Sequence, residues 1–260
     1  TGASSGIGEA TVVRLAAAGM RVVAAARRVE RLEALAARVP GVEAHELDVT
    51  DRGSVAALAD AVQRVHGACH VLVNNAGIGG GGDLGRPDGL DDALGVLDTN
   101  LLGTMRVTAA FAELLAASAP ARVVNVASVA GKLGIGPAPY VASKFGMVGL
   151  SEALDLVWAD RDVRVSQVNP GFITTEGFPQ EWTRGTPIAR LVGVPDDVAR
   201  AIVGVVVRGT RERTVPRWYR PLVVLRHTAA PLVRGLGGLA WGPRVLYERE
   251  RSEPGDAGPA

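Results

Sequence analysis

Tyr140 and Lys144 stand four residues apart in a helix-patterned run, so on a helix both side chains project from one face. A phenol with a reference pKa near 10 is poorly matched to proton donation at neutral pH, and an ammonium on the same face favours the phenolate. The pair therefore reads as a tuned acid for an oxygen on which negative charge develops. Arginine carries positive charge almost everywhere else, Lys132 and Lys144 being the only lysines. Ser128 follows an apolar strand pattern, where its hydroxyl can hydrogen-bond a substrate oxygen; by itself it would read as a cap or turn residue. Asn100 interrupts a long helix-patterned run with a poor helix former. At the start, Thr1-Gly2-Ala3-Ser4-Ser5-Gly6-Ile7-Gly8 forms a glycine-rich turn entering a helix. Gly2 would make the turn, Gly6 the close approach and Gly8 the helix packing, leaving backbone N–H groups to face a pyrophosphate. Alone, that spacing also describes an ordinary turn.

The elements that must position these residues alternate from end to end. Strand patterns at 21–26, 42–48, 71–75, 122–127 and 163–169 are interleaved with helix patterns at 8–18, 29–38, 54–66, 91–118, 140–160 and 196–208. This predicts an α/β chain, a single domain with a Rossmann-type doubly wound parallel sheet. Asp48, Asn74-Asn75-Ala76-Gly77 and Ser128 then fall at the carboxyl ends of successive strands, which line the ligand crevice of such a sheet. A glycine turn of this kind normally follows a strand. None precedes Thr1, so the sequence reads as lacking its first, central strand, with the natural protein beginning earlier. Residues 79–89 read as a loop. The expected organisation is a nucleotide-binding and catalytic unit at 1–210, a basic amphipathic extension at 211–252 and a flexible tail at 253–260.

Composition narrows the function classes. The 260 residues are 47% hydrophobic, 21% charged and 4% aromatic, which suits a globular chain with a full core. A net charge of +1 gives no field for nucleic acid. The single cysteine, Cys69, forms no internal disulfide, and no run approaches the roughly 18 apolar residues of a membrane span, so a cytoplasmic protein is expected. His66, Cys69 and His70 read as a surface turn, and no metal is expected.

Taken together, T-G-x-x-x-G-x-G at 1–8, N-N-A-G at 74–77, Asn100, Ser128, Y-x-x-x-K at 140–144 and P-G at 170–171 resemble the short-chain dehydrogenase/reductase family, of the compact type. The resemblance runs from Thr1 to about Arg208. It implies an oxidoreductase passing a hydride between nicotinamide and a ketone, an aldehyde or the matching alcohol, with Asn100, Ser128, Tyr140 and Lys144 as catalytic tetrad. It places the cofactor on Gly2, Ser4, Ser5, Gly6, Ile7 and Gly8 for the diphosphate, and on Asp48 and Val49 for the adenine. Asn75, Ala76 and Gly77 fall beside the adenosine half, Pro170, Gly171, Ile173 and Thr175 by the carboxamide, and Tyr140 and Lys144 by the nicotinamide ribose. The asparagine matching Asn100 bends its helix in the family and holds a water that relays protons to the lysine. Where family members that use NAD carry an acid to hold the ribose hydroxyls, this chain has Ala26, followed by Arg27 and Arg28. NADP(H) is therefore expected over NAD(H), with Arg27 gripping the 2′-phosphate and Arg28 in solvent. The plainer alternative is that both arginines begin a solvated helix. A catalytically idle NADP-binding sensor is the rival within the same fold.

The segment 217–247 departs from the short endings of compact members. Leu222, Leu225, Ala229, Leu232, Leu236 and Leu239 recur at spacings of three and four among Arg220, Arg226, His227 and Arg234, and Pro221, Pro231 and Pro243 divide the run into two short helices. One reading packs this stripe on the domain as a substrate lid or a subunit contact in a homodimer or homotetramer. The other is a membrane-surface interaction module, attached peripherally with Trp218 and Trp241 in the interface. Both give an apolar entrance and a lipophilic substrate, such as a steroid, retinoid or long-chain carbonyl compound.

Overall fold

Six short parallel strands and ten helices alternate along residues 1–178 and 192–229, the part of the chain that the computed structural model describes. Strands β1 (Val22–Ala26) and β2 (Val42–Glu46) pair with each other, and β3 (Val71–Asn74), β4 (Ala121–Val126), β5 (Val163–Pro170) and β6 (Glu212–Val215) pair in that order. Among the described residues no strand pairs with both β1 and β3. Residues 1–3 make the link instead: the Ala3 N–H donates to Ala25 O at 3.2 Å and the Thr1 amino group to Val73 O at 2.8 Å. The strand order reverses at that point, so the glycine turn emerges where an open α/β sheet binds its ligand.

Helices cover both faces, which explains why the strands read as near-continuous apolar runs. Val123 of β4 and Val165 of β5 pack with Val55, Leu58 and Val62 of α3 (Arg52–His66) and with Val107 of α5 (Gly103–Ala110). Alternate strand residues point the other way. Val124, Val126 and Val168 meet Val198, Ile202 and Val205 of α9 (Pro195–Arg208). Helix α1 (Gly6–Ala17) is tied to α9 by a two-pronged bond from Arg14 to Asp196, 2.6 Å at each prong. Helix α2 (Val29–Arg38) buries Leu32 and Leu35 over β1 and β2.

The helix expected over 91–118 is broken. It forms α4 (Gly89–Leu97), a π-helical turn (Asp98–Leu102), α5 and α6 (Ala112–Ala117). Asn100 sits in the π turn because its side chain bonds the backbone of Ile78 and not its own helix. Helices α7 (Ala130–Leu133) and α8 (Ala138–Val157) follow β4. Strand β6 lies beyond residue 210 and extends the sheet into the expected extension; four residues, the first two charged, carry no strand signal in sequence. Helix α10 (Tyr219–Thr228) has Pro221 in its first turn, where proline is tolerated. The rest of the expected amphipathic segment, 230–247, and the tail at 253–260 lie outside the described residues. Among the described residues, no helix is long and apolar enough to cross a membrane.

Candidate active site

One cleft of about 1090 Å³ runs along the carboxyl ends of the strands, above the roughly 300–1,000 Å³ that holds a single drug-sized ligand. The glycine turn forms its floor. Gly2 and Gly6 have φ of +62° and +57°, and a side chain at Gly2 would come within 2.8 Å of the Ala76 backbone. At Gly8 a side chain would overlap the Gly2 carbonyl, so this glycine lies beneath the turn and does not reach the cleft. Ser5 caps α1 in an extended conformation without a side-chain cap bond, leaving the first helical N–H groups to face the cleft. Asn75 anchors the turn: its Nδ2 donates to the carbonyls of Thr1 and Gly2, both at 3.1 Å, while the Asn75 and Ala76 N–H groups donate to the Thr1 hydroxyl at 3.1 and 3.0 Å. Asn74 is buried and structural, donating to Thr108 and Asn125 at 2.9 Å.

At one end, Asp48 Oδ1 accepts from the N–H and hydroxyl of Thr50 at 2.9 and 2.7 Å, which holds its carboxyl below the usual carboxylate range, with Arg27 adding to the effect. Val49 is buried against Gly103, where a side chain would come within 2.7 Å of it. Ala26 is buried at the end of β1, and its register partner on β2 is Glu46. Arg28 is exposed, and it is also tethered. Its guanidinium donates to the hydroxyls of Ser4 and Ser5 at 3.3 and 2.8 Å and to Glu176 at 2.7 Å, and Arg31 donates to the second Glu176 oxygen at 2.5 Å.

At the other end, Ser128, Tyr140 and Lys144 converge. The Ser128 hydroxyl lies within hydrogen-bonding reach of the Tyr140 phenol, accepts from the Ala130 N–H at 3.1 Å and donates to Pro170 O at 3.3 Å. Lys144 Nζ is buried, 5.7 Å from the Tyr140 ring centre, and donates to Val126 O at 3.0 Å. Burial lowers its pKa to about 8. Burial also pushes the phenol up, and the Ser128 bond only partly opposes this. The expected lowering of Tyr140 by Lys144 therefore does not prevail: the ammonium is aimed at a carbonyl, and the phenol stays protonated at neutral pH. Asn100 is fully buried behind the cleft, exchanging bonds with the Ile78 backbone at 2.8 and 2.9 Å and donating to Ser143 at 3.1 Å. It braces the strand end that carries Gly77, where a side chain would meet Asn100 Oδ1 at 3.0 Å and Lys144 Nζ at 3.6 Å.

Pro170, Gly171, Ile173 and Thr175 line the cleft opposite the glycine turn, Thr175 packing on Gly6. Tyr219 of α10 was not anticipated here. Its ring fills the space a Gly171 side chain would take, and its hydroxyl accepts from the Phe172 N–H at 3.2 Å. Phe178 lies 5.7 Å from the Tyr140 ring, and Trp218 stacks on Tyr219 at 3.7 Å. The only sequence signals for this aromatic wall are the glycine after Pro170 and the clustering of scarce aromatic residues at both ends of the site.

A fold with a glycine cradle, an open helix N-terminus and a two-ended cleft suits a dinucleotide. Residues 1–184 match the family described as short chain dehydrogenase. The chain is 37% identical over 216 residues to the 3-oxoacyl-[acyl-carrier-protein] reductase FabG of Thermotoga maritima, covering 78% of this chain and 87% of that protein. It is 36% identical over 217 residues to D-threitol dehydrogenase of Mycolicibacterium smegmatis, covering 78% and 82%. Among solved structures, an actinorhodin polyketide ketoreductase variant with NADPH superposes with a TM-score of 0.72 at 32% identity, covering 82% of this chain and 93% of that one. A short-chain dehydrogenase/reductase from Burkholderia phymatum in complex with NAD gives 0.76 at 29%, covering 89% and 92%. The chain belongs to the short-chain dehydrogenase family, and is an oxidoreductase that moves a hydride between a nicotinamide cofactor and carbonyl or alcohol carbon.

Proposed function

We propose that this protein uses NADP(H) to interconvert a lipophilic ketone or aldehyde and its alcohol, with Tyr140 as the acid–base residue. The observation that carries this reading is the meeting of the Tyr140 phenol and the Ser128 hydroxyl in one cleft, with Lys144 behind them and the glycine turn opposite.

Bound nicotinamide supplies or accepts the hydride. Gly2, Ser4, Ser5, Gly6 and Ile7 line the cleft and would hold its diphosphate through backbone N–H groups and the dipole of α1, Asp48 and Val49 would border the adenine, and Ile173 and Thr175 would border the carboxamide. In the reducing direction the protonated phenol gives its proton to the substrate oxygen as carbon gains the hydride. Ser128 strengthens its hydrogen bond as that oxygen becomes an alkoxide. Lys144, charged below about pH 8, stabilises the phenolate left behind. Asn100 holds the Gly77–Ile78 backbone that Lys144 and the cofactor share.

The preference for NADP(H) rests on Ala26 in place of an acid and on Arg28, with Arg27 beside it, at the rim near Ser4 and Ser5. A lipophilic substrate is supported by Phe178, Tyr219, Trp218, Leu222 and Leu133 along the catalytic end of the cleft. Exposed Leu94, Leu102, Met105 and Phe145 favour a homo-oligomer, and the lone cysteine suits a cytoplasmic setting. A panel of carbonyl compounds of increasing apolar length, assayed by loss of reduced-nicotinamide absorbance with NADPH and with NADH, tests the reading. Faster turnover of the longer compounds with NADPH is expected; equal use of both cofactors or no turnover of any carbonyl overturns it.

A further inference from the structure

The carboxylate of Glu176 bridges two arginines at the rim of the adenosine end. Its Oε1 lies 2.7 Å from Arg28 and its Oε2 2.5 Å from Arg31, and these bonds hold the Glu176 carboxyl below its ordinary range. The remaining Arg28 N–H groups reach Ser4 and Ser5 on the glycine turn. Two guanidinium groups thus converge on one small anion, and the two hydroxyls hold one of those guanidinium groups in place. The chain fills that place with its own carboxylate, brought from a segment more than 140 residues away in sequence: 148 separate Arg28 from Glu176 and 145 separate Arg31. A tight turn carries it, closed by mutual backbone bonds between Thr175 and Phe178 at 3.3 and 3.2 Å, with Thr175 seated on Gly6 and Phe178 beside Tyr140.

We propose that Glu176 is a specificity-determining residue that occupies the 2′-phosphate position as a resident counter-anion, so that a cofactor phosphate must displace it from Arg28 and Arg31. This rests on the NADP(H) reading above. A phosphate dianion offers three oxygens where the carboxylate offers two, so it satisfies both arginines and the serine hydroxyls together. NADH brings no group able to displace Glu176. The carboxylate therefore lowers apparent affinity for phosphorylated cofactor and spares the other. In return it keeps the arginines from pulling in unrelated phosphates.

Titration calorimetry on the full chain with adenosine 2′,5′-bisphosphate and with adenosine 5′-monophosphate tests the idea without any turnover. Glu176 is half-exposed, so Glu176→Gln keeps size and fold. That variant should bind the bisphosphate about 3- to 10-fold more tightly, the scale of one or two exposed ion pairs, with the monophosphate unchanged. The gain should disappear in 1 M salt and in the Arg28→Ala/Arg31→Ala background. Unchanged or weaker bisphosphate binding by Glu176→Gln overturns the proposal, as does an equal gain for the monophosphate, which would place the effect at the 5′-phosphate that both nucleotides carry. If Arg28→Ala/Arg31→Ala still prefers the bisphosphate as strongly as the unaltered chain, the phosphate assignment itself fails, and the proposal with it.

Discussion

Removing one oxygen, by Tyr140→Phe, isolates the acid from everything else in the cleft. The ring contact with Phe178 at 5.7 Å survives, and Ser128 keeps its bonds to the Ala130 N–H and Pro170 O. No bond from the phenol to the glycine turn exists to be lost, so NADPH should bind within a few-fold of the unaltered chain. Proton transfer has no ready substitute. Lys144 Nζ donates to Val126 O at 3.0 Å and Met147 Sδ at 3.4 Å and lies behind the ring, while the Ser128 hydroxyl is too weak an acid. The expected loss is therefore that of a full general-acid contribution, about 10²- to 10⁴-fold in kcat, or about 2.7–5.4 kcal/mol in the barrier. Single-turnover oxidation of bound NADPH measures the chemical step, and cofactor fluorescence measures binding. A variant within tenfold of normal kcat would sink the assignment of Tyr140 as acid. A variant that loses turnover because NADPH no longer binds would show that the phenol positions cofactor instead.

Lys144→Met should abolish most turnover yet stabilise the protein at pH 7. Holding a charge whose pKa has fallen from 10.5 to about 8 costs about 3 kcal/mol at most, and urea unfolding should show a rise of about 1–3 kcal/mol. The sign has a second consequence: between pH 8 and 10.5 the unfolded chain binds the extra proton, so stability of the unaltered protein should gain with pH there while kcat for reduction falls as Lys144 loses its charge, and the variant should lack both trends. Arg28→Ala should weaken NADPH about 10- to 150-fold, nearer the lower figure because the side chain is 44% exposed, and barely touch NADH; parallel titration of Arg27→Ala ranks the two arginines. Gly171→Ala must displace the Tyr219 ring and should lower kcat and the unfolding midpoint together, whereas Gly171→Ala combined with Tyr219→Ala should recover part of the midpoint.

The cofactor end was legible because backbone conformation dictates residue type there: a left-handed turn under a helix N-terminus admits little but glycine, and strand ends follow from apolar periodicity. The helix at 29–38 agrees with α2, whose apolar stripe of Leu32 and Leu35 is buried with Ala36 packed beside it. The break at Asn100 was legible as an anomaly but not as a π turn, since what bends the helix is a bond to Ile78, 22 residues away. The partners of Arg28 are hidden from the sequence for a related reason. Local pattern makes residue 28 the start of a solvated helix, and only the fold brings Glu176 to it. Tyr219 depends on the pairing of β5 with β6, a strand too short to announce itself.

These misses share a cause that bears on how the site works. Apart from the bonds of Asn100 to Ile78, the contacts hidden from the sequence all involve the segments after Pro170: Glu176 reaches Arg28 and Arg31, Thr175 rests on Gly6, Phe178 faces Tyr140, and Tyr219 fills the space beside Gly171. The frame itself is fixed by buried apolar packing on both faces of the sheet, where a large-to-small change costs about 2–5 kcal/mol. The contacts laid over it are half-exposed ion pairs and aromatic edges, each about 0.2–1.5 kcal/mol. A ligand that competes with contacts of this size can rearrange the segments after Pro170 without disturbing the sheet. Cofactor binding and substrate selection can thus be coupled through one short turn, while Tyr140 stays fixed on α8.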